Sequence, residues 1–389
     1  MGRATLGVLL FTVLLDLLGF GMVIPILPLY AQSLRASDLE VGALLAVYSV
    51  MQLLFSPIWG RLSDRAGRRP VLLLSILGSC GSQLGYALAP TYTWLLIARA
   101  FAGICGANIT TAQAYVADVT DEKSRASGMG ILGAAMGLGF IFGPAIGGEL
   151  ARVSPRLPFF VASGLAALNF ALAVPILIEP RPPGERAPTR AFTWAALVRT
   201  VTVPRILTLI LLFFIITFAF ANLEGTFSLY LARQFGYRER GTSRLFAFIG
   251  LMMIITQGGL VRRMVPRFGE KRLVVVGTFM MALAMLLLHF ASDLPSLLLA
   301  MAVMSIGNGL NNPSLSSLIS RAAGEQQGGV LGVSQSFGAL ARVLGPIAGT
   351  YALRFGNTTP YVAAGLLMLL ASGAAASLVR QPELATQRA

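Results

Sequence analysis

Two sequence patterns occur twice in this chain, once in each half and at one shared offset. Residues 60–69 read Gly-Arg-Leu-Ser-Asp-Arg-Ala-Gly-Arg-Arg, and residues 262–271 form a degenerate copy. A Gly-Pro pair at 143–144 returns at 345–346. Both patterns lie among long apolar runs, so the sequence predicts a membrane protein made of two similar halves. That organisation is typical of secondary transporters, in which one half moves against the other around a central site.

The composition restricts the fold class further. Apolar residues make up 56% of the 389 residues and charged residues only 12%, whereas a soluble domain carries about a quarter charged residues. A chain of this length can hold about twelve spans of roughly 20 residues. We therefore predict an all-α membrane protein with twelve transmembrane helices in two pseudo-symmetric six-helix bundles. The predicted spans are 5–30, 39–60, 70–89, 92–117, 126–149, 157–179, 205–232, 242–261, 272–291, 294–320, 327–352 and 358–379.

The same pattern predicts the domain boundaries. Residues 1–180 form the first bundle, residues 181–204 a cytoplasmic linker rich in Pro and Arg, and residues 205–389 the second bundle. We expect the first segment to be a span and not a signal peptide, because it is too long for the apolar region of one and contains Asp16.

The formal net charge of +14 would suit a nucleic-acid-binding protein, but its distribution does not. Most Lys and Arg residues fall in segments that are cytoplasmic if both termini lie inside, as the positive-inside rule requires. We therefore expect a multi-pass protein of the cell (inner) membrane, in contact with the lipid bilayer, with both termini cytoplasmic and with no nucleic-acid partner.

Several classes of chemistry lack their residues. The chain has two Cys and one His, which is too few for a disulfide framework or a His-rich metal site. No nucleophile–base pair and no phosphate-binding loop is visible in the sequence. We therefore expect no catalytic residues, no cofactor and no metal, and we do not expect an enzyme or an ATP-driven pump.

The segment 60–69 resembles the signature of the major facilitator superfamily between its second and third spans. The glycines permit a tight turn and close helix packing, and Asp64 can accept hydrogen bonds from Arg68 and from helix-end amides. The resemblance implies a conformational latch that holds the outward-open state. An ordinary solvated basic loop is the alternative for the arginines. The predicted latch residues are Gly60, Asp64, Arg65, Gly67, Arg68 and Asp118.

The fifth span is rich in glycine and resembles the antiporter motif of that superfamily. Small residues create a flat helix face that allows close backbone approach, and a proline permits a kink. The motif implies a dry seam against a helix of the second half that prevents ion leak, while generic small-residue packing is the alternative. The predicted motif residues are Gly133, Gly137, Gly143, Pro144, Gly147 and Gly148.

Charges within spans are the main candidates for mechanism, because each is costly in hydrocarbon. The resemblance places the first, fourth and seventh spans around a central cavity, so Asp16, Arg99 and Glu224 are expected to converge there. A carboxyl group in such a cavity can exchange a proton, and we predict proton coupling by Asp16 and Glu224. Structural ion pairs with Arg99 or Arg342 are the alternative. Arg99 is expected to tune a neighbour or orient water, whereas Arg342 could bind an anion or balance a carboxylate.

Polar residues near these charges predict a pocket for amphipathic organic molecules. Polar contacts between helices are the alternative for several of them. The predicted substrate-binding residues are Asp16, Arg99, Asn108, Gln113, Asn222, Glu224, Asn308, Asn312 and Arg342.

Within the superfamily, the first half is most similar to the tetracycline–proton antiporters and related twelve-span drug–proton antiporters, over 15–28, 68–75, 137–148 and 154–160. It departs from the tetracycline pumps at Ser82, where they carry an acidic residue, which argues against a metal–tetracycline substrate.

The leading hypothesis is a monomeric, proton-coupled antiporter that exports small amphipathic compounds, cationic or neutral, by alternating access. A proton symporter or uniporter for a metabolite, including an anionic one, is the alternative. A membrane receptor without transport is the third hypothesis, and the intact latch motif argues against it.

Overall fold

The computed structural model describes residues 3–106, 111–112, 115–116, 118, 122–179, 203–323 and 327–380. Every long regular element within these ranges is an α-helix. The predicted linker and two predicted pocket residues, Asn108 and Gln113, lie outside the described residues except at the linker's last positions.

Fourteen α-helices are defined in the described part of the chain. The first seven are α1 (Arg3–Val23), α2 (Leu27–Ser33), α3 (Asp38–Ala66), α4 (Arg68–Ala87), α5 (Tyr92–Cys105), α6 (Glu122–Ala151) and α7 (Leu157–Ile176). The second seven are α8 (Pro204–Phe235), α9 (Glu239–Ile255), α10 (Val261–Phe268), α11 (Glu270–Phe290), α12 (Leu294–Ala323), α13 (Gln327–Ala352) and α14 (Thr359–Arg380). A π-helical turn, Thr256–Leu260, joins α9 to α10.

These helices occupy the twelve predicted span positions. Among the described residues, nine helices or joined helices are long and apolar enough to cross a membrane, and the bent pair α1–α2 makes a tenth. The remaining two positions hold shorter apolar helices, Tyr92–Cys105 and Gly137–Ala151. The prediction of a multi-pass helical membrane protein is confirmed.

Two of the helices differ in detail from the predicted spans that they occupy. The first span is not one continuous helix, because α1 and α2 meet at a bend of 44°. Pro25 lies in the break, where it supplies no backbone N–H and its ring obstructs a helix. The second span runs past residue 60 to Ala66, so most of the predicted loop at 60–69 is helical and the chain turns only at Gly67, with a φ of +107°.

The described contacts divide the chain into two compact units. Unit 1 comprises Met1–Ala191, Glu224–Leu251 and Arg342–Asn357, and unit 2 comprises Phe192–Leu223, Met252–Ala341 and Thr358–Ala389. Unit 1 therefore contains segments of α8, α9 and α13 together with the first half of the chain. The predicted division of the chain at 181–204 stays a prediction.

Each unit has a packed interior of its own. In unit 1 the buried rings of Tyr30 and Tyr86 both pack against Phe159, with centroids 5.1 and 5.8 Å from it. In unit 2, α11 and α12 approach closely where Gly277 faces Gly307, because a Cβ at either position would lie under 3 Å from the other's carbonyl oxygen. Small residues at such crossings let membrane helices pack by direct backbone contact.

Candidate functional site: a charged cavity and a cytoplasmic ion-pair cluster

A small cavity in unit 1 contains the first predicted coupling residue. It has a volume of about 60 Å³ and lies among α1, α3, α4 and α5. Asp16 and Arg99 face it from α1 and α5, and Tyr48 faces it from α3. A cavity of this size has room for a few water molecules. The remaining lining residues are Leu17, Phe20, Ser79, Ser82, Gln83, Tyr86, Ala102 and Gly106.

Arg99 is enclosed by aromatic rings. The residue is only 5% exposed. Its guanidinium carbon lies 4.4 Å from the centre of the Tyr48 ring and 6.0 Å from the centre of the Phe20 ring. One guanidinium N–H donates to the Tyr86 hydroxyl at 3.5 Å. Cation–π contacts of this kind offset part of the cost of removing a guanidinium from water.

Two buried polar atoms in this cavity make no hydrogen bond to any described residue. They are the Arg99 Nε and the Gln83 Oε1. A buried polar group without a partner costs about 1–3 kcal/mol.

Glu224 and Arg342 lie in the same unit and are coupled electrostatically to this cavity. The positive charges of Arg99 and Arg342 both act on the Glu224 carboxylate, and the charges of Asp16 and Arg342 both act on Tyr48. No ion pair within 4.0 Å joins Glu224 to either arginine among the described side chains. The predicted convergence of charges is therefore seen as electrostatic coupling and not as a closed salt bridge.

Tyr48 is the neighbour that these charges share, and no sequence pattern predicts its contact with Arg99. It is 51 positions from Arg99, as the sequence numbers show, and it is one of many aromatic residues in an apolar span. Only the packing of α3 against α5 brings its ring over the guanidinium.

Three of the predicted pocket residues lie in unit 2. Asn222 and Asn308 are buried, and Asn312 Nδ2 donates to Asn308 Oδ1 at 3.3 Å. The neighbouring Asn311 packs against Gly277, where a Cβ would lie 2.7 Å from the Asn311 Oδ1. This contact supports a helix-packing role for Asn311.

The predicted latch residues form an ion-pair cluster at the join of α3 and α4. Arg68 lies 2.8 Å from Asp64 and 3.1 Å from Asp118, and it also donates to the Ser63 hydroxyl. Arg65 and Gly60 are exposed, and a Cβ at Gly60 would meet nothing within 4 Å. Gly60 makes no close packing contact with a described residue, and its part in the latch stays a prediction.

The helix-end amides have a partner that the sequence did not predict. The N–H groups that open α4 donate to Glu179: Arg68 N lies 2.8 Å from Oε1, and Arg69 N lies 2.9 Å from Oε2. The sequence does not point to Glu179, because this residue lies more than a hundred positions from these amides and no local pattern links the two.

The glycine-rich motif has two packing partners. Gly143 and Gly147 pack against Gly21 and Met22 of α1, where a Cβ on either α6 glycine would lie within 3 Å of α1 backbone. Gly148 meets Ser243 of α9. The prediction of a seam against the second half is therefore incomplete, since its main partner is α1. Gly133, Gly137 and Pro144 lie on the same helix, which continues through Pro144.

A second ion-pair cluster lies at the C-terminal end of α6, around Glu149. Glu149 pairs with Arg240 at 2.8 Å and with Arg244 at 3.1 Å, both at the start of α9. Asp38, at the start of α3, pairs with Arg233 near the end of α8. These contacts join segments from the two halves of the sequence within unit 1, and sequence analysis did not predict them.

Comparison with known proteins identifies the class. Residues 9–268 and 260–389 match the Major Facilitator Superfamily. The chain is 31% identical over 346 residues to multidrug resistance protein 1 of Bacillus subtilis (strain 168), covering 89% of this chain and 88% of that protein. It is 34% identical over 355 residues to the class C tetracycline resistance protein of Escherichia coli, covering 87% of each.

A solved structure of 28% identity agrees with these matches. It is the human organic anion transporter MFSD10 (TETRAN), which superposes with a TM-score of 0.73 and covers 96% of this chain and 99% of that one. The fold and the paired motifs define a membrane transporter. The chain belongs to the major facilitator superfamily, and the predicted fold class is confirmed.

Proposed function

We propose that this protein is a proton-coupled antiporter that exports small amphipathic compounds, cationic or neutral, by alternating access. The observation that carries the proposal is the cavity that Asp16, Tyr48 and Arg99 line, with Glu224 and Arg342 electrostatically coupled to it. The multidrug and tetracycline resistance proteins to which the chain is similar support export and its direction.

The two carboxyl groups are the proposed coupling groups. An ionised carboxylate inside a membrane protein is costly unless a cation or a proton balances it. Asp16 lines the cavity together with buried Arg99, so its carboxyl group can hold a proton or, once that proton has left, balance the charge of a cationic substrate. Glu224 is balanced by two arginine charges, and we propose that it responds to the same exchange.

The distribution of Lys and Arg supports a proposed orientation. We propose that both termini lie in the cytoplasm and that the protein acts as a monomer in the inner membrane. The cluster of Asp64, Arg68 and Asp118 then lies on the cytoplasmic side and serves as the conformational latch. The remaining predicted contacts of Asn222, Asn308 and Asn312 with the substrate are part of the same proposal.

Transport in proteoliposomes tests the substrate class. With the interior made acidic, the purified protein should accumulate a cationic dye and a neutral analogue in a gradient-dependent manner. Glu224→Gln should reduce accumulation of the cationic dye far more than accumulation of the neutral analogue, because only the cation interacts with the lost charge. Uptake of an anionic analogue in place of both would contradict the proposal.

A double-mutant cycle separates substrate binding from internal pairing. If Glu224 only balances Arg342, both substrate classes should lose activity alike. Glu224→Gln combined with Arg342→Gln should then recover much of the stability that either single variant loses. That pattern would remove Glu224 from the binding role and leave Asp16 as the coupling group.

A further inference from the structure

The carboxylate of Glu179 joins the segment after α7 to the start of α4. Each of its two oxygens accepts one backbone N–H, from Arg68 at 2.8 Å and from Arg69 at 2.9 Å. The first N–H groups of a helix have no partner within the helix, and a negative charge there also interacts favourably with the helix dipole. Glu179 satisfies both requirements at the helix that carries the latch arginine.

The turn before α4 is shaped to fit this carboxylate. Gly67 has a φ of +107°, which disfavours any side chain, and a Cβ at Gly67 would also lie 2.8 Å from Glu179 Cδ. Gly67 is therefore required for two separate reasons, its backbone conformation and its contact with Glu179. The motif glycine and a residue outside the motif thus form one structural unit.

The chain just before Glu179 makes two further contacts. Arg69 Nη2 donates to the Val174 carbonyl at 2.8 Å, and the buried Tyr115 donates its hydroxyl to the Ile178 carbonyl. Because the segment is fixed, Glu179 provides a firm reference for the first turn of α4.

We propose that Glu179 is a positioning residue of the conformational latch. By binding the backbone of Arg68 it leaves the Arg68 guanidinium to span Asp64 and Asp118, which lie 2.8 and 3.1 Å from it on different segments. Without Glu179 the first turn of α4 loses two charge-assisted hydrogen bonds and the guanidinium is no longer held between the two carboxylates. The inference rests on the latch role given under the proposed function.

Three variants test this inference: Glu179→Gln, Glu179→Ala and, as a matched control, Glu239→Gln in the first turn of α9. Glu179→Gln should lower the maximal transport rate about tenfold, by the loss of one charge-assisted hydrogen bond, with the KM for substrate unchanged. Glu179→Ala should lower it further, and Glu239→Gln should transport like the wild type. An unchanged rate in Glu179→Gln, or a raised KM in its place, would overturn the inference.

Two readouts need no substrate and so separate this inference from the proposed function. Hydrogen exchange at the Arg68 and Arg69 amides should accelerate in Glu179→Ala and not in Glu239→Gln. The melting temperature of Glu179→Gln combined with Asp118→Asn should fall by less than the sum of the single losses, because both act through Arg68. Unaltered exchange or additive losses would overturn the positioning role even in a protein that transports normally, while absent transport in the wild type would count against the proposed function alone.

Discussion

The close approach of α1 and α6 gives the most quantitative prediction, through Gly143→Ala. A Cβ at Gly143 would lie 2.8 Å from both the Gly21 Cα and the Leu18 carbonyl oxygen. Ordinary contact begins at 3.4 Å, so the two helices must separate by about 0.6 Å, since close-packed interiors have little slack. All the obstructing atoms are backbone, so no side chain can rotate away.

The expected cost follows from this geometry. Overpacking of a filled interior costs about 1–3 kcal/mol, and a backbone obstacle places Gly143→Ala toward the upper end. The displacement also moves α1, which carries Asp16 one to two turns before Gly21, away from its place in the cavity. We therefore expect both a loss of stability and a loss of transport.

The matched control is Gly164→Ala on α7. Gly164 is exposed in the middle of a helix, and a Cβ there would meet nothing within 4 Å. Replacing an unobstructed helical glycine by alanine raises the free energy of unfolding by up to about 1 kcal/mol. Thermal denaturation in detergent should therefore separate the two variants by several degrees. A Gly143→Ala protein as stable and as active as Gly164→Ala would refute the reasoning.

Four further predictions concern charges and backbone outside the cavity. Asp64→Asn should slow maximal transport with little change in substrate affinity, as KM and Vmax measurements will show. Arg35 has a φ of +65°, a backbone conformation that glycine adopts at lower cost than arginine. Arg35→Gly should therefore stabilise the protein by about 1 kcal/mol, as thermal denaturation will show. Glu149→Gln should accelerate hydrogen exchange at the start of α9 at low salt, and the effect should shrink in 1 M salt because these pairs are exposed. Ser296 donates hydrogen bonds that lower the pKa of Asp293, so this contact stabilises the protein at neutral pH, and the stabilisation is lost as the pH falls through the lowered pKa. In Asp293→Asn the melting temperature should therefore depend less on acid pH than in the wild type.

The spans and their number could be predicted from the sequence, because a series of apolar runs long enough to cross the hydrocarbon core is typical of membrane helices. The bend after Val23 was also within reach, since Pro25 and Pro28 lie close together there. It was missed because apolar residues continue across both prolines and hide the break. The extension of α3 to Ala66 was missed because the polar residues of the motif suggested a loop, although they are compatible with a helix that leaves the membrane.

The candidate site could be predicted only in part, because sequence shows residue types and not their partners. A charged residue within an apolar span is rare and easily recognised in a sequence, which is why Asp16, Arg99 and Glu224 could be chosen. The ring of Tyr48 over Arg99 and the carboxylate of Glu179 at the start of α4 depend on tertiary contacts between distant segments. Small residues on α6 predicted close packing correctly, but the helix that they face was set by the fold.

Asp16 is the most direct test of the central claim that a cavity carboxylate couples export to protons. Asp16→Asn should keep the melting temperature of the wild type and should still exchange substrate down its own gradient in proteoliposomes. It should lose accumulation driven by an acidic interior, because the amide cannot bind and release a proton. Full proton-driven accumulation by a well-folded Asp16→Asn protein would contradict the account.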